Sequence, residues 1–196
     1  MLIYGDIRSG NCQKVKITAD WLGLSYDWHP VDVVAGQTRA PAYLAINPMG
    51  QVPAVILDDG RVLAQSNAII RYLAHGSALL PEDPYLQAKI DEWMFWEQYS
   101  HEPYIAVCRY QMKFLGKRRE ELEAWRLTRG EAALDLMDQE LGRRPWLGGD
   151  RISVADIALL AYTRLAGEGG FDIAPRRNIA NWISRCEAEL GVESRH

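Results

Sequence analysis

Few residues in this chain are of a type and spacing that could do chemistry. The run Arg8-Ser9-Gly10-Asn11-Cys12 lies between an apolar strand pattern, Leu2-Ile3-Tyr4, and the start of a helix pattern. Backbone N–H groups at a helix start lack intrahelical partners and carry the positive end of the dipole. A thiolate or carboxylate placed there is stabilised, and a Ser9 hydroxyl beside it could add a hydrogen bond. The plainer alternative is that Ser9 or Asn11 caps the helix. Ser9 has no obvious His or Asp to activate it, which argues against a hydrolase nucleophile. Ser9-x-x-Cys12 also looks like a redox C-x-x-C with its exposed attacking cysteine replaced. Cys12 falls one turn in, facing the sheet, where cysteine serves as a small apolar side chain.

Two further runs could bind a ligand. Gln51-Val52-Pro53 precedes an apolar strand. Pro53 is either an ordinary edge-strand proline or a cis-proline that turns the Val52 backbone outward toward a peptide-like ligand. Gln65-Ser66-Asn67 opens the next helix, as an N-cap or as a second helix start that takes a carboxylate through the Ser66 hydroxyl. The three cysteines (Cys12, Cys108, Cys186) and four scattered histidines form neither a disulfide framework nor a metal set.

These runs need elements to hold them. Leu2-Ile3-Tyr4 predicts a strand and Asn11–Leu22 a helix with Val15, Ile17, Ala19 and Leu22 inward, ended by Gly23. Tyr26–Val33 predicts a strand confined to an edge by Pro30. Pro41–Ile46 predicts a short helix, stopped by Asn47-Pro48. Pro53–Leu57 and Arg61–Leu63 predict a hairpin around Asp58-Asp59-Gly60, and Gln65–Ala74 a helix. The order βαβαββα points to a mixed sheet with helices packed on it. Gly76–Pro84 looks like a linker, and no convincing strand follows Tyr85. In that second half Trp93, Trp96, Ser100, Tyr104, Val107 and Phe114 form a helical stripe, with Pro103 a point of kink or restart. Glu120–Leu141 predicts an amphipathic helix with Leu122, Trp125, Leu127, Ala132, Leu134, Leu136 and Met137 as core candidates. Asp156–Ala166 predicts a buried central helix, and Ile179–Leu190 the last one.

Composition narrows the function classes. The 196 residues carry a net charge of −4 and 48% hydrophobic residues, which excludes disorder, and their basic residues do not cluster as a nucleic-acid binder requires. No apolar run approaches the roughly 20 residues of a membrane span, and MLIYGDIRSG has no signal-peptide pattern. The expectation is a reduced, cytoplasmic protein with a small ligand, without nucleic acid, membrane or metal.

Taken in order, a strand–SxNC–helix, Asn47-Pro48-x-Gly50-Gln51-Val52-Pro53, Gln65-Ser66-Asn67-Ala68-Ile69-Ile70, a linker and an all-helical half resemble the glutathione transferase family over essentially the whole chain. A third match is Trp146-Leu147-Gly148-Gly149-Asp150-x-Ile152-Ser153-x-Ala155-Asp156. Physically it is a helix-start device: Ser153 as N-cap, Asp156 reaching back to it, and Ile152 with Ile157 as a hydrophobic staple.

The resemblance implies a thioredoxin-like α/β domain over 1–77 and an all-α helical-bundle domain over 85–196, in a homodimer that sets the first domain of each chain against the helical domain of the other. It implies glutathione as co-substrate. Pro53 matches the family's cis-proline, Val52 the residue whose backbone pairs with the cysteinyl part, and Gln65 with Ser66 the pair on the γ-glutamyl carboxylate. Gln51, Thr38 and Arg39 match positions near the glycyl end. Ser9 matches the serine-type thiolate stabiliser, while Asn11 matches a branch that uses an Asn on glutathione-containing disulfides. The implied activity is attack of a glutathione thiolate on a small hydrophobic electrophile, as in detoxification. The alternatives are a glutathione-dependent disulfide oxidoreductase or peroxidase at the same site, and a non-catalytic interaction module. Tyr104, Val107, Tyr110 and Met112 are candidates for the electrophile wall, or else core.

Overall fold

The computed structural model of the chain describes residues 1–193. They form two compact units, one of Met1–Ser77 and a second from Ala78 onward. Ser194, Arg195 and His196, the end of the expected helical domain, lie outside the described residues.

The first unit follows the order read from the sequence: β1 (Leu2–Gly5), α1 (Gly10–Trp21), β2 (Asp27–Pro30), α2 (Pro41–Leu44), β3 (Ala54–Ile56), β4 (Val62–Ala64) and α3 (Ser66–Leu73). A 3-10 turn, Gln37–Arg39, precedes α2. The sheet order is β2-β1-β3-β4, with β1 parallel to β2 and antiparallel to β3, and β3 antiparallel to β4. Ile3 stands between Trp28 and Val55 in register and is fully buried. The mixed sheet and the edge position of Pro30 agree with the expectation. On α1, Cys12, Val15 and Ala19 lose all exposure, as spacings of three and four residues require of one face. Gly5 admits this packing: a Cβ there would meet the Trp28 ring at 2.8 Å and the Cys12 sulfur at 3.1 Å.

The strand β2 is four residues long, not the eight of Tyr26–Val33. Tyr26 is instead occupied by side-chain bonds, its hydroxyl donating to Asp20 at 2.7 Å and accepting from Lys16 at 3.0 Å. The segment read as a linker is partly built in: Leu79 and Leu80 are buried, and the Leu79 carbonyl accepts from the Val154 N–H at 3.1 Å.

The second unit is helical: α4 (Pro84–Trp96), a π-helical turn (Glu97–His101), α5 (Glu102–Lys113), α6 (Ala124–Leu141), α7 (Val154–Thr163) and α8 (Arg177–Leu190). The expected stripe meets the buried face at Trp93 alone. Burial falls on Ile90, Trp93, Met94, Glu97, His101, Ile105 and Cys108, one residue out of step with Trp96, Ser100, Tyr104 and Val107. Polar side chains on that face find hydrogen-bond partners inside the helical unit. His101 Nε2 lies 3.0 Å from the Thr163 hydroxyl, and Glu97 accepts from Gln98 at 2.8 Å.

Helix α6 starts at Ala124 rather than Glu120, after a separate 3-10 turn at Arg119–Glu121. Its core stripe is Gly130, Ala133, Leu134, Met137 and Leu141. Trp125, Ala132 and Leu136 are exposed, correcting their assignment to the core. Trp125 finds cations in place of a core, with the Arg126 guanidinium 4.5 Å from its ring.

Helix α7 is buried along its whole length. Its start is built as expected: Asp156 Oδ2 accepts from the Ser153 N–H at 3.0 Å, while Oδ1 accepts from the Leu147 N–H at 2.9 Å and Trp182 Nε1 at 3.0 Å. Burial raises the Asp156 carboxyl pKa, against the opposing pull of these donors.

Candidate functional site

The candidate residues come together at the ends of β1, α1 and α3 and at the turn before β3. Ser9 is the N-cap of α1, with extended φ and ψ of −79° and 126°, and its carbonyl accepts the first helical bond from the Gln13 N–H at 3.0 Å. Its hydroxyl makes no capping bond. The missing bond goes against the simple cap. Cys12 is fully buried, and burial pushes its thiol up to about 12. At neutral pH it is a protonated core side chain, not an attacking thiolate.

Asn11, one residue into α1, is tied to α3. The Ser66 hydroxyl donates to Asn11 Oδ1 at 2.9 Å. One turn on, the buried Lys14 ammonium donates to Asn67 Oδ1 at 3.3 Å. A polar seam therefore joins the starts of the two helices. Gln65, the N-cap of α3, has φ 69°, an unusual backbone for a residue with a side chain. Its exposed amide reaches Met49 Sδ at 3.4 Å.

The turn between α2 and β3 accounts for the Asn-Pro-x-Gly-Gln-Val-Pro run. Asn47 is buried; its Nδ2 donates to the Gln51 carbonyl at 2.7 Å, and its Oδ1 accepts from the Met49 N–H at 3.2 Å. The Tyr43 hydroxyl donates to the same Gln51 carbonyl at 2.6 Å. Gly50 has φ +62°, and a Cβ on it would meet the Arg39 guanidinium at 2.6 Å and the Thr38 carbonyl at 3.1 Å. The Val52–Pro53 peptide is cis. Val52 is half-buried and enters no turn or loop backbone hydrogen bond among the described residues.

Thr38 and Arg39 lie on the 3-10 turn, Thr38 buried and Arg39 exposed across Gly50. The structure thus brings Asn11 against Ser66, Gln65 against Met49, and Arg39 against the turn that carries Gln51, Val52 and Pro53. Sequence reasoning missed Tyr43, whose phenol burial pushes up to about 12, so that it remains a donor at neutral pH. It also missed Lys14. An inward-facing lysine four residues before Thr18 in a well-formed helix pattern was the available signal. Of the expected electrophile wall, Tyr104, Val107 and Met112 are half-buried and Tyr110 is exposed, so none belongs to the core.

Residues 8–75 match the family model for the glutathione S-transferase N-terminal domain, and residues 119–185 match that for the C-terminal domain. The chain belongs to the glutathione S-transferase family. A maleylacetoacetate isomerase of Pseudomonas aeruginosa is 33% identical over 92% of this chain and 90% of its own. The crystal structure of a glutathione S-transferase from Pseudomonas fluorescens superposes with a TM-score of 0.92 at 46% identity, covering 95% of this chain and 94% of that one. A theta-class glutathione S-transferase from Xanthomonas axonopodis pv. citri, solved with glutathione bound, gives a TM-score of 0.84 at 29% identity, covering 95% and 91%.

The family's fold is the one described above, a four-stranded mixed sheet with helices followed by a helical half. Among the described residues no group of His, Cys, Asp and Glu could hold a metal ion, and no helix is long and apolar enough to cross a membrane.

Proposed function

We propose that the chain is a glutathione transferase in which Ser9 and the N-terminus of α1 stabilise the glutathione thiolate. The observation that carries this reading is the Ser9 hydroxyl at a helix N-cap that it does not cap. On this reading Gln65, Ser66 and the start of α3 take the γ-glutamyl carboxylate, and the Val52 backbone pairs with the cysteinyl unit. Thr38, Arg39 and Gln51 stand toward the glycyl end. The relative solved with glutathione bound supports this choice of ligand.

Each unit by which the thiol pKa falls corresponds to about 1.4 kcal/mol. One hydrogen bond from Ser9 contributes roughly 0.5–1.5 kcal/mol, or about one unit. The dipole and N–H groups of α1 supply any further shift. The thiolate then attacks a small hydrophobic electrophile, displacing its leaving group or adding to it. The chain would act in the cytoplasm as a homodimer. Exposed Val62 and Tyr72 in the first unit, and Tyr85, Phe95 and Tyr99 in the second, are apolar surface of the kind that association covers.

A second reading has its own support. The isomerase relative suggests glutathione-dependent cis–trans isomerisation, in which the thiolate adds to a conjugated double bond and leaves again after rotation. A panel assay separates these chemistries: a model aryl halide, an organic hydroperoxide, a mixed glutathione disulfide and a conjugated cis-dicarboxylic acid, each with glutathione. Turnover of the aryl halide is expected. Turnover of the mixed disulfide alone would favour the oxidoreductase reading, and of the cis acid alone the isomerase. Failure to be retained on immobilised glutathione would leave the interaction module.

A further inference from the structure

The loop that presents Ser9 is held by three charged groups with no part in the chemistry above. Asp6 is buried just past the end of β1. Its Oδ1 accepts from the Arg8 backbone N–H and from Arg8 Nε, both at 2.9 Å. Its Oδ2 accepts from Arg8 Nη2 at 2.7 Å and from the Val33 N–H at 3.2 Å. The same Nη2 donates to Asp32 Oδ1 at 2.7 Å. Asp32 is fixed in turn: Oδ1 accepts from the Ala35 N–H at 2.9 Å, and its own N–H donates to Gln37 Oε1 at 2.7 Å. The Asp6 carbonyl accepts from the Ser9 N–H at 3.0 Å, so the clamp reaches Ser9 through its backbone. Burial alone would raise the Asp6 carboxyl, but the bonds from Arg8 and Val33 hold it below the usual carboxylate value, so the clamp is charged at neutral pH.

A serine that caps its helix is fixed by its own bond to the first turn. Ser9 lacks that bond; its backbone is held by the Asp6 carbonyl, in a loop tied down by a planar guanidinium bridging two carboxylates. We propose that Arg8, held by Asp6 and Asp32, is a positioning residue that fixes the Ser9 hydroxyl for the ligand thiol. This rests on the reading that Ser9 serves a glutathione thiolate. The Arg8 side chain is 42% exposed while Asp6 is buried, so the effect on the thiol is read on protein whose unfolding transition is checked alongside.

Four proteins test it: the parent, Arg8→Met, Ser9→Ala and the double variant. The thiolate absorbance of bound glutathione is titrated against pH, and S-methylglutathione, which has no thiol to stabilise, is titrated by calorimetry. Arg8→Met should raise the bound-thiol midpoint by about half a unit or more, with S-methylglutathione affinity within about threefold of the parent. Because Arg8 acts through Ser9, the double variant should titrate like Ser9→Ala alone. If Arg8→Met titrates like the parent, or if the two shifts add, the inference is overturned. A parent that does not bind S-methylglutathione overturns the underlying reading instead. Should Arg8→Met lose its cooperative unfolding transition, Arg8→Lys takes its place with the same direction of shift, since lysine keeps the charge but lacks the planar fork that bridges Asp6 and Asp32.

Discussion

The Ser66 hydroxyl donates to Asn11 Oδ1 across 2.9 Å, joining the first turns of α3 and α1. A serine hydroxyl has one proton. It cannot give that proton to Asn11 and to a ligand carboxylate at once, so carboxylate binding at Ser66 exchanges one acceptor for another. A residue assigned to the γ-glutamyl carboxylate and one that stands at the thiol position thereby share a hydrogen bond.

Loss of the charge-assisted bonds from Gln65 and Ser66 should cost about 1.5–3 kcal/mol of binding. The double change Gln65→Ala, Ser66→Ala is expected to raise the glutathione dissociation constant at least about tenfold. Calorimetry on the folded variant checks this, and unchanged affinity would remove the assignment.

Ser9→Ala is expected to keep glutathione affinity within a few-fold, because the carboxylate contacts remain. It should raise the bound-thiol pKa by about one unit and reduce turnover at neutral pH roughly ten- to a hundredfold. Asn11→Ala is the control: on this reading Asn11 does not hold the thiolate, and the bound thiol should titrate as in the parent. The reverse pattern, an unshifted Ser9→Ala with a shifted Asn11→Ala, would transfer the role to Asn11 and favour disulfide exchange.

Cys12 should be dispensable for chemistry. Its thiol is buried and pushed up to about 12, so it should resist alkylating reagents at pH 7 in the folded protein. Cys12→Ala should leave turnover within about twofold and cost about 1 kcal/mol of stability for the lost packing. Loss of activity in a folded Cys12→Ala would restore a protein-thiol mechanism.

The Asp6 carboxyl ties pH to stability. Its folded value lies below the ordinary one, so its contribution is present above about pH 4 and is lost as pH falls through the folded value. Asp6→Asn should therefore be less stable than the parent at pH 7 by about 1 kcal/mol, with the gap closing toward pH 2. Denaturant unfolding at the two pH values measures it; a gap constant with pH would show that the carboxylate charge contributes nothing.

Light scattering at micromolar concentration should give a mass near twice 22.2 kDa. A mass of one chain would contradict the homodimer.

Much of the first unit could be read from punctuation. Asp58-Asp59-Gly60 marks the hairpin between β3 and β4, and Gly23 and Gly76 follow α1 and α3. The second unit was harder because its buried face carries Glu97 and His101, which hydropathy sends to the surface and hydrogen bonding keeps inside. Trp125 erred the other way, an aromatic ring held outside by guanidinium groups. At the site, Ser9 and Asn11 were legible because helix-start chemistry is local. The link from Arg8 to Asp32 spans 24 residues and exists because parallel pairing of β1 and β2 brings their ends together. No local pattern announces such a bond.

The doubly held Gln51 carbonyl has a consequence for the entropy of binding. Tyr43 and Asn47 fix the residue before Val52 from two directions, and both of these side chains are buried. The backbone that would pair with a peptide ligand is thus immobilised before any ligand arrives. Fixing a free residue's backbone costs about 1–2 kcal/mol, and here the folding of the domain has already met that cost. A tripeptide docking at Val52 gives up its own freedom and almost none of the protein's, so weak single contacts can sum to useful affinity.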